Sequence, residues 1–203
     1  MLILASVAGA ALARIIPLLP EPPETCRIVC IPTAANVEDG DRKWLSAELA
    51  LFARAGFTLI MLDLAEAAPQ AVHAAIAEAD IVYVTGGNTY YLLEQMRRCD
   101  FENTIRAFLD RGGVYIGSSA GSIVAGPDIA YVGTMDDAGK VPSLTDTRGL
   151  CLTDLCPVVH MDHPAFRKAA AQALADLRKK KLPAVALNDD QAVVIEGGKS
   201  RII

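Results

Sequence analysis

The sequence predicts an α/β fold: a three-layer α/β/α sandwich around a mainly parallel sheet. Three observations carry this reading. Short apolar runs of strand length alternate with longer segments of helical period over most of the 203 residues. Hydrophobic residues reach 52%, which suits strands covered on both faces. Aromatic residues are only 5%, so the core must be built from Ala, Val, Leu and Ile, the residues that fill parallel strands. Residues 1–203 read as a single domain, with no internal repeat, linker or low-complexity stretch.

Leu2–Ser6 reads as the first strand. The apolar stretch from Met1 to Ala13 has the look of a signal-peptide core. It lacks a basic leading segment, and a strand followed by a helix accounts for it equally well. A Pro-rich bridge, Pro17–Pro23, leads to a second strand, Cys26–Pro32. Asp41–Ala55 carries Trp44, Leu45, Leu49, Leu51 and Phe52 at helical spacing, and Gly56 stops it. Phe57–Leu62 is a third strand, Pro69–Ala79 a helix, and Asp80–Thr85 a fourth strand. Thr89–Arg98 and Phe101–Arg111 read as helices. Gly113–Gly117 is a fifth strand. The polar stretch 126–149 has no periodicity, and a loop of that length is commonly functional or mobile. Pro157–His160 reads as a short strand and Pro164–Lys179 as an amphipathic helix. Leu182–Leu187 and Gln191–Glu196 then finish the sheet, with Ser200–Ile203 as an edge hairpin.

Charge and cysteine content narrow the function classes. The net charge is −5, and the one dense basic run, Arg178–Lys181, ends a helix, where cations suit the dipole. No nucleic-acid partner is expected. No apolar run has the length of a membrane span. The cysteines number five: Cys26, Cys30, Cys99, Cys151 and Cys156. None shows zinc-site spacing, and an odd set of free thiols suits a reducing compartment, so a cytoplasmic location is expected.

In open α/β sheets, sites form beyond the carboxyl ends of the strands. Three such ends carry chemistry. After the fifth strand, Gly117-Ser118-Ser119-Ala120-Gly121 matches the nucleophile-elbow pattern, a Ser between small residues at a strand-to-helix turn. Small flanking residues let the turn close, and the hydroxyl then stands at a helix N-terminus, where developing negative charge is favoured. The competing reading makes Ser118, Ser119 and Ser122 simple helix caps. A serine nucleophile needs a base and a group to orient it. Of the three histidines, His73 lies within a helix. His160 falls inside the sixth strand and points toward the core. His163 sits just past that strand, level with Ser119, and is the preferred base. Asn188-Asp189-Asp190 follows the next strand, with Asp189 the first choice for orienting the histidine and Asp190 the second. Gly86-Gly87-Asn88 follows the fourth strand. Its Gly87 or Asn88 N–H, opposite that of Ala120, makes a two-donor oxyanion hole. The order Ser, His, Asp differs from the Ser, Asp/Glu, His of α/β-hydrolases, and no histidine follows Asp189.

Thr85-Gly86-Gly87-Asn88-Thr89, Gly117–Ser122, Asp162-His163-Pro164 and Asp189-Asp190-Gln191-Ala192 together resemble the peptidase family of aspartyl dipeptidase (peptidase E) and cyanophycinase. The resemblance implies a fold related to class I glutamine amidotransferases, of flavodoxin-like type. Amidotransferases themselves use Cys at the elbow, where this chain has Ser119. It further implies a dipeptidase-type serine peptidase with Ser119 as nucleophile, His163 as base and an acid at position 189. That acid is commonly Glu in the family and here is Asp189, shorter by one methylene. No metal or organic cofactor is implied, and the expected partner is a small peptide substrate bound by a monomer or homodimer. Members that cleave after an N-terminal acidic residue hold its carboxylate through basic side chains. Arg148, Arg167 and Lys168 are the candidates for that task, and Asp136 with Asp137 for meeting a substrate ammonium. An esterase or amidase using the same triad, or a binding member of the superfold without activity, are the alternatives.

Overall fold

The computed structural model describes residues 1–203. Seven strands form the main sheet: β1 (Leu2–Ala5), β2 (Ile28–Ile31), β3 (Leu59–Met61), β4 (Ile81–Val84), β5 (Val114–Ser118), β8 (Ala192–Glu196) and β9 (Lys199–Ile202). Their order is β3-β2-β4-β5-β1-β8-β9, so β5 is the middle strand. The first five run parallel, while β8 pairs antiparallel with β1 and β9 antiparallel with β8. Leu2–Ala5 is completely buried within this sheet, so the apolar N-terminus is a strand of the core.

Side chains alternate across a strand, and here both faces are apolar. Leu2, Leu4, Val29, Ile31, Val82, Val84 and Tyr115 pack against α3 (Pro69–Ala77), α4 (Thr89–Arg98) and α5 (Phe101–Asp110). Ile3, Ala5, Ile28, Cys30, Ile81, Tyr83, Val114 and Ile116 pack against α1 (Ala8–Ile15) and α2 (Lys43–Arg54). The three layers therefore follow from strands with no polar face.

One expectation is corrected. The segments expected to extend the main sheet, β6 (Cys156–Val158) and β7 (Ala184–Ala186), pair only with each other, as a separate parallel ladder. The antiparallel strand β8 already occupies the edge of β1, so no row of donors and acceptors is left there for them. The helix α7 (Arg167–Lys179) covers this small ladder through Ala170, Ala173, Leu174 and Leu177. The stretch 126–149 is tied to the body of the fold. An Asp128–Arg148 bridge closes its base, 3-10 turns form at Ala130–Val132 and Ala138–Lys140, and Ile129, Val132 and Val141 are buried.

Candidate active site

β5 ends at Ser118, and Ser119 then opens the four-residue helix α6 (Ala120–Ile123). Ser119 has φ 49° and ψ −110°, a conformation that costs a non-glycine residue about 1–3 kcal/mol and persists only where its surroundings over-determine it. They do: its N–H donates to the carbonyls of Ala5 (3.2 Å) and Ser6 (3.0 Å). The turn also needs Gly121, because a Cβ there would lie 2.2 Å from the carbonyl oxygen of Val84. The strained turn sets Ser119 half-exposed at the top of the middle strand.

The base is His160. The Ser119 Oγ lies 2.9 Å from His160 Nε2, and His160 Nδ1 lies 2.6 Å from Asp189 Oδ1. A carboxylate only accepts, so Nδ1 carries the proton and Nε2 is the free acceptor facing the hydroxyl. The expectation of His163 in this place is corrected. β6 stops at Val158, two residues short of His160, and His160 adopts φ 62°. The left-handed turn swings its ring out of the strand toward Ser119, where an extended residue would have pointed into the core. His163 lies 5.8 Å from that ring between centroids, and its Nδ1 accepts the N–H of Ala165. Asp190 faces elsewhere, in an exposed pair with Arg14.

Ser6, directly after β1, carries no motif in the sequence, although it too follows a central strand. It is completely buried. Its Oγ accepts the His160 N–H (2.8 Å) and donates to Asp189 Oδ1 (3.1 Å).

Gly86 lies against the elbow, since a Cβ there would meet the Ser119 Cβ at 3.2 Å. Gly87 has φ 132° and no room for a side chain, as a Cβ would fall 2.3 Å from the Ala34 carbonyl. The N–H groups of Gly87 and Ala120 donate to no protein acceptor. Asn88 is removed from the set of oxyanion donors. Its N–H donates to the Ala34 carbonyl (2.8 Å), its Oδ1 caps α4 at the Tyr91 N–H, and its Nδ2 donates to the Asp137 carbonyl.

These groups open into a cavity of about 670 Å³. Trp44, Leu51 and Phe166, all exposed, rim it. Its polar wall is acidic. Asp136 accepts the Thr89 N–H at 2.8 Å, and burial pushes its carboxyl above the usual range. Glu48 is buried and accepts from the Gly9 N–H and the Ser118 hydroxyl. It serves as the cap that Val7 cannot give α1. Lys140 is the basic side chain on this wall, and it is occupied by the Val37 carbonyl (2.6 Å), Asp39 (3.6 Å) and Glu38 (3.9 Å). The other basic candidates lie away from it. Arg148 pairs with Glu102 in a separate cleft, and Arg167 and Lys168 are exposed at the start of α7.

The model of peptidase family S51 matches residues 4–203. The chain belongs to peptidase family S51. It is therefore a hydrolase of the peptidase class. An uncharacterized peptidase of Listeria innocua is 33% identical over 152 residues, 75% of this chain and 72% of that one. Peptidase E of Actinobacillus pleuropneumoniae is 43% identical over 60 residues, 30% of this chain and 26% of that one. A crystal structure of a Listeria monocytogenes chain provisionally assigned as peptidase E superposes with a TM-score of 0.91 at 25% identity, covering 100% of this chain and 96% of that one. The S51 fold is the class I glutamine amidotransferase-like α/β architecture. No helix is long and apolar enough to cross a membrane.

Proposed function

We propose that this S51 chain is a serine peptidase acting on short peptides with a free amino terminus, with Ser119 as nucleophile, His160 as general base and Asp189 as the acid that orients it. The observation that carries the reading is the unbroken line Ser119 Oγ, His160 Nε2, His160 Nδ1, Asp189 Oδ1, with spacings of 2.9 and 2.6 Å. His160 takes the Ser119 proton as the oxygen attacks the peptide carbonyl carbon. The carbonyl electrons move to the oxygen, and the N–H groups of Gly87 and Ala120 receive that charge, each donor worth on the order of 3 kcal/mol in the transition state. His160 then protonates the leaving amine as the C–N bond breaks. Water repeats the sequence to release the acyl group and restore Ser119.

Asp136 supplies a half-buried carboxylate for the substrate ammonium, and the rim of Trp44, Leu51 and Phe166 suits an apolar side chain. A substrate with an acidic first residue would find only Lys140, whose charge Glu38 and Asp39 already share. The test is a panel of dipeptides beginning with Asp, Leu, Phe or Lys, with simple esters alongside, run on wild type and Ser119→Ala. Cleavage of the apolar members that disappears in Ser119→Ala is expected. Cleavage confined to Asp-Xaa would overturn the substrate assignment, and activity retained in Ser119→Ala would overturn the mechanism.

A further inference from the structure

We propose that Ser6 is a positioning residue that locks all three members of the triad to one another. The inference rests on the reading of Ser119, His160 and Asp189 as a triad. A single residue at the end of β1 bonds to each of them. Its carbonyl accepts the Ser119 N–H at 3.0 Å, its hydroxyl oxygen accepts the His160 N–H at 2.8 Å, and its hydroxyl proton goes to Asp189 Oδ1 at 3.1 Å. The same Asp189 oxygen receives the His160 ring proton, so Ser6 and His160 fix that carboxylate from two sides. The Ser6 N–H donates to the Gln191 carbonyl, and the Val7 N–H to that of Asp189, which ties β1 to the turn carrying the acid.

Chemical necessity backs the geometry. His160 stands in a left-handed conformation that lets its ring reach Ser119, and its N–H needs an acceptor there. Ser6 is completely buried, so no bulk water replaces its hydroxyl. A short carboxylate such as Asp189 has little reach to spare, and a second donor holds it at the correct rotamer. Ser6 touches no reacting atom. Its hydroxyl acts through His160 and Asp189, and its carbonyl through the Ser119 N–H.

The test uses a fluorophosphonate probe, whose reaction with Ser119 is resolved into a maximal rate kinact and a binding constant KI. Ser6→Ala and Ser6→Cys are compared with wild type, each with a thermal melt. For Ser6→Ala, kinact is expected to fall about 10- to 100-fold, the scale of a catalytic group displaced by a fraction of an ångström, with KI nearly unchanged. Ser6→Cys keeps a weak donor in place and should recover part of the loss. In an Asp189→Asn background the Ser6→Ala effect should be clearly smaller than in wild type, because one of the two routes through the hydroxyl, the bond to the carboxylate, is already altered. A folded Ser6→Ala protein with wild-type kinact overturns the proposal, as does an equal loss in both backgrounds. If Ser6→Ala does not fold, Ser6→Cys decides by the same criterion: a lowered kinact at wild-type melting temperature supports the role, and a wild-type kinact removes it. A wild-type protein that takes no label at all refutes the serine-hydrolase reading itself, which separates the two failures.

Discussion

At the residue scale the two carboxylates around Ser119 have opposite surroundings. Asp189 accepts from His160 and Ser6, a partnered position that holds a histidine tautomer. Replacing it with Asn breaks the tautomer and is expected to lower kcat by roughly 10²- to 10⁴-fold with little change in KM. Asp136 is half-buried and held by one N–H, and its partial desolvation raises its carboxyl. Its charged form, the one that meets an ammonium, is reached only above that raised value. KM for peptides with a free amino group should therefore fall as pH rises through it. The same shift makes Asp136 a cost to folding at neutral pH: the stability it contributes is present below its unfolded value and is lost as pH climbs through the folded one. Asp136→Asn should accordingly raise KM about tenfold or more for free dipeptides, spare their N-acetylated forms, and leave the melting temperature equal or higher at pH 7. An unchanged KM would move the ammonium site elsewhere. Ser119 and Asp189 stand out in the sequence because each follows a strand end, and Ser119 carries the elbow pattern besides. His160 does not, because a left-handed residue two positions past a strand leaves no mark in a His-Met-Asp-His string. Charge alone points to Arg148 and Arg167, and charge says nothing of which cleft a loop enters.

At the element scale the elbow is a packing solution between three backbones. α6 approaches β4 closely enough that Gly121 has no space for a methyl group. Gly121→Ala would push against the Val84 carbonyl, part of a rigid central strand, so repacking is costly. A loss of about 2–3 kcal/mol is expected, which for a chain of this size lowers the melting temperature by roughly 5–10 °C in calorimetry. A melt within a degree of wild type would show that the elbow is looser than these distances imply. Strands and helices of the sandwich were legible from periodicity, since both faces of each strand are apolar and the helices show clear stripes. The β6–β7 ladder was not, because three-residue strands look alike whether they join the main sheet or pair with each other. What separates them is the antiparallel β8 on the edge of β1, a tertiary event without a local signal. The 126–149 stretch reads as polar loop, yet a few spaced residues, Ile129, Val132 and Val141, anchor it beside the site.

At the scale of the whole molecule, the layers place the chemistry at the end of the middle strand and the thiols in the interior. All five cysteines are free, and only Cys151 is partly accessible. Burial pushes the Cys30 thiol up to about 12, which removes its thiolate at ordinary pH. Iodoacetamide applied to the native protein at pH 8 should therefore modify Cys151 first and leave Cys30 untouched, as read by peptide mass spectrometry. Early modification of Cys30 would mean that the α1–α2 layer opens. The central claim concerns the histidine that faces Ser119, and two substitutions three residues apart isolate it. Fluorophosphonate labelling of Ser119 should drop by about 10³-fold or more in His160→Ala and stay within severalfold of wild type in His163→Ala. The reverse pattern, loss in His163→Ala with His160→Ala still reactive, would contradict the account.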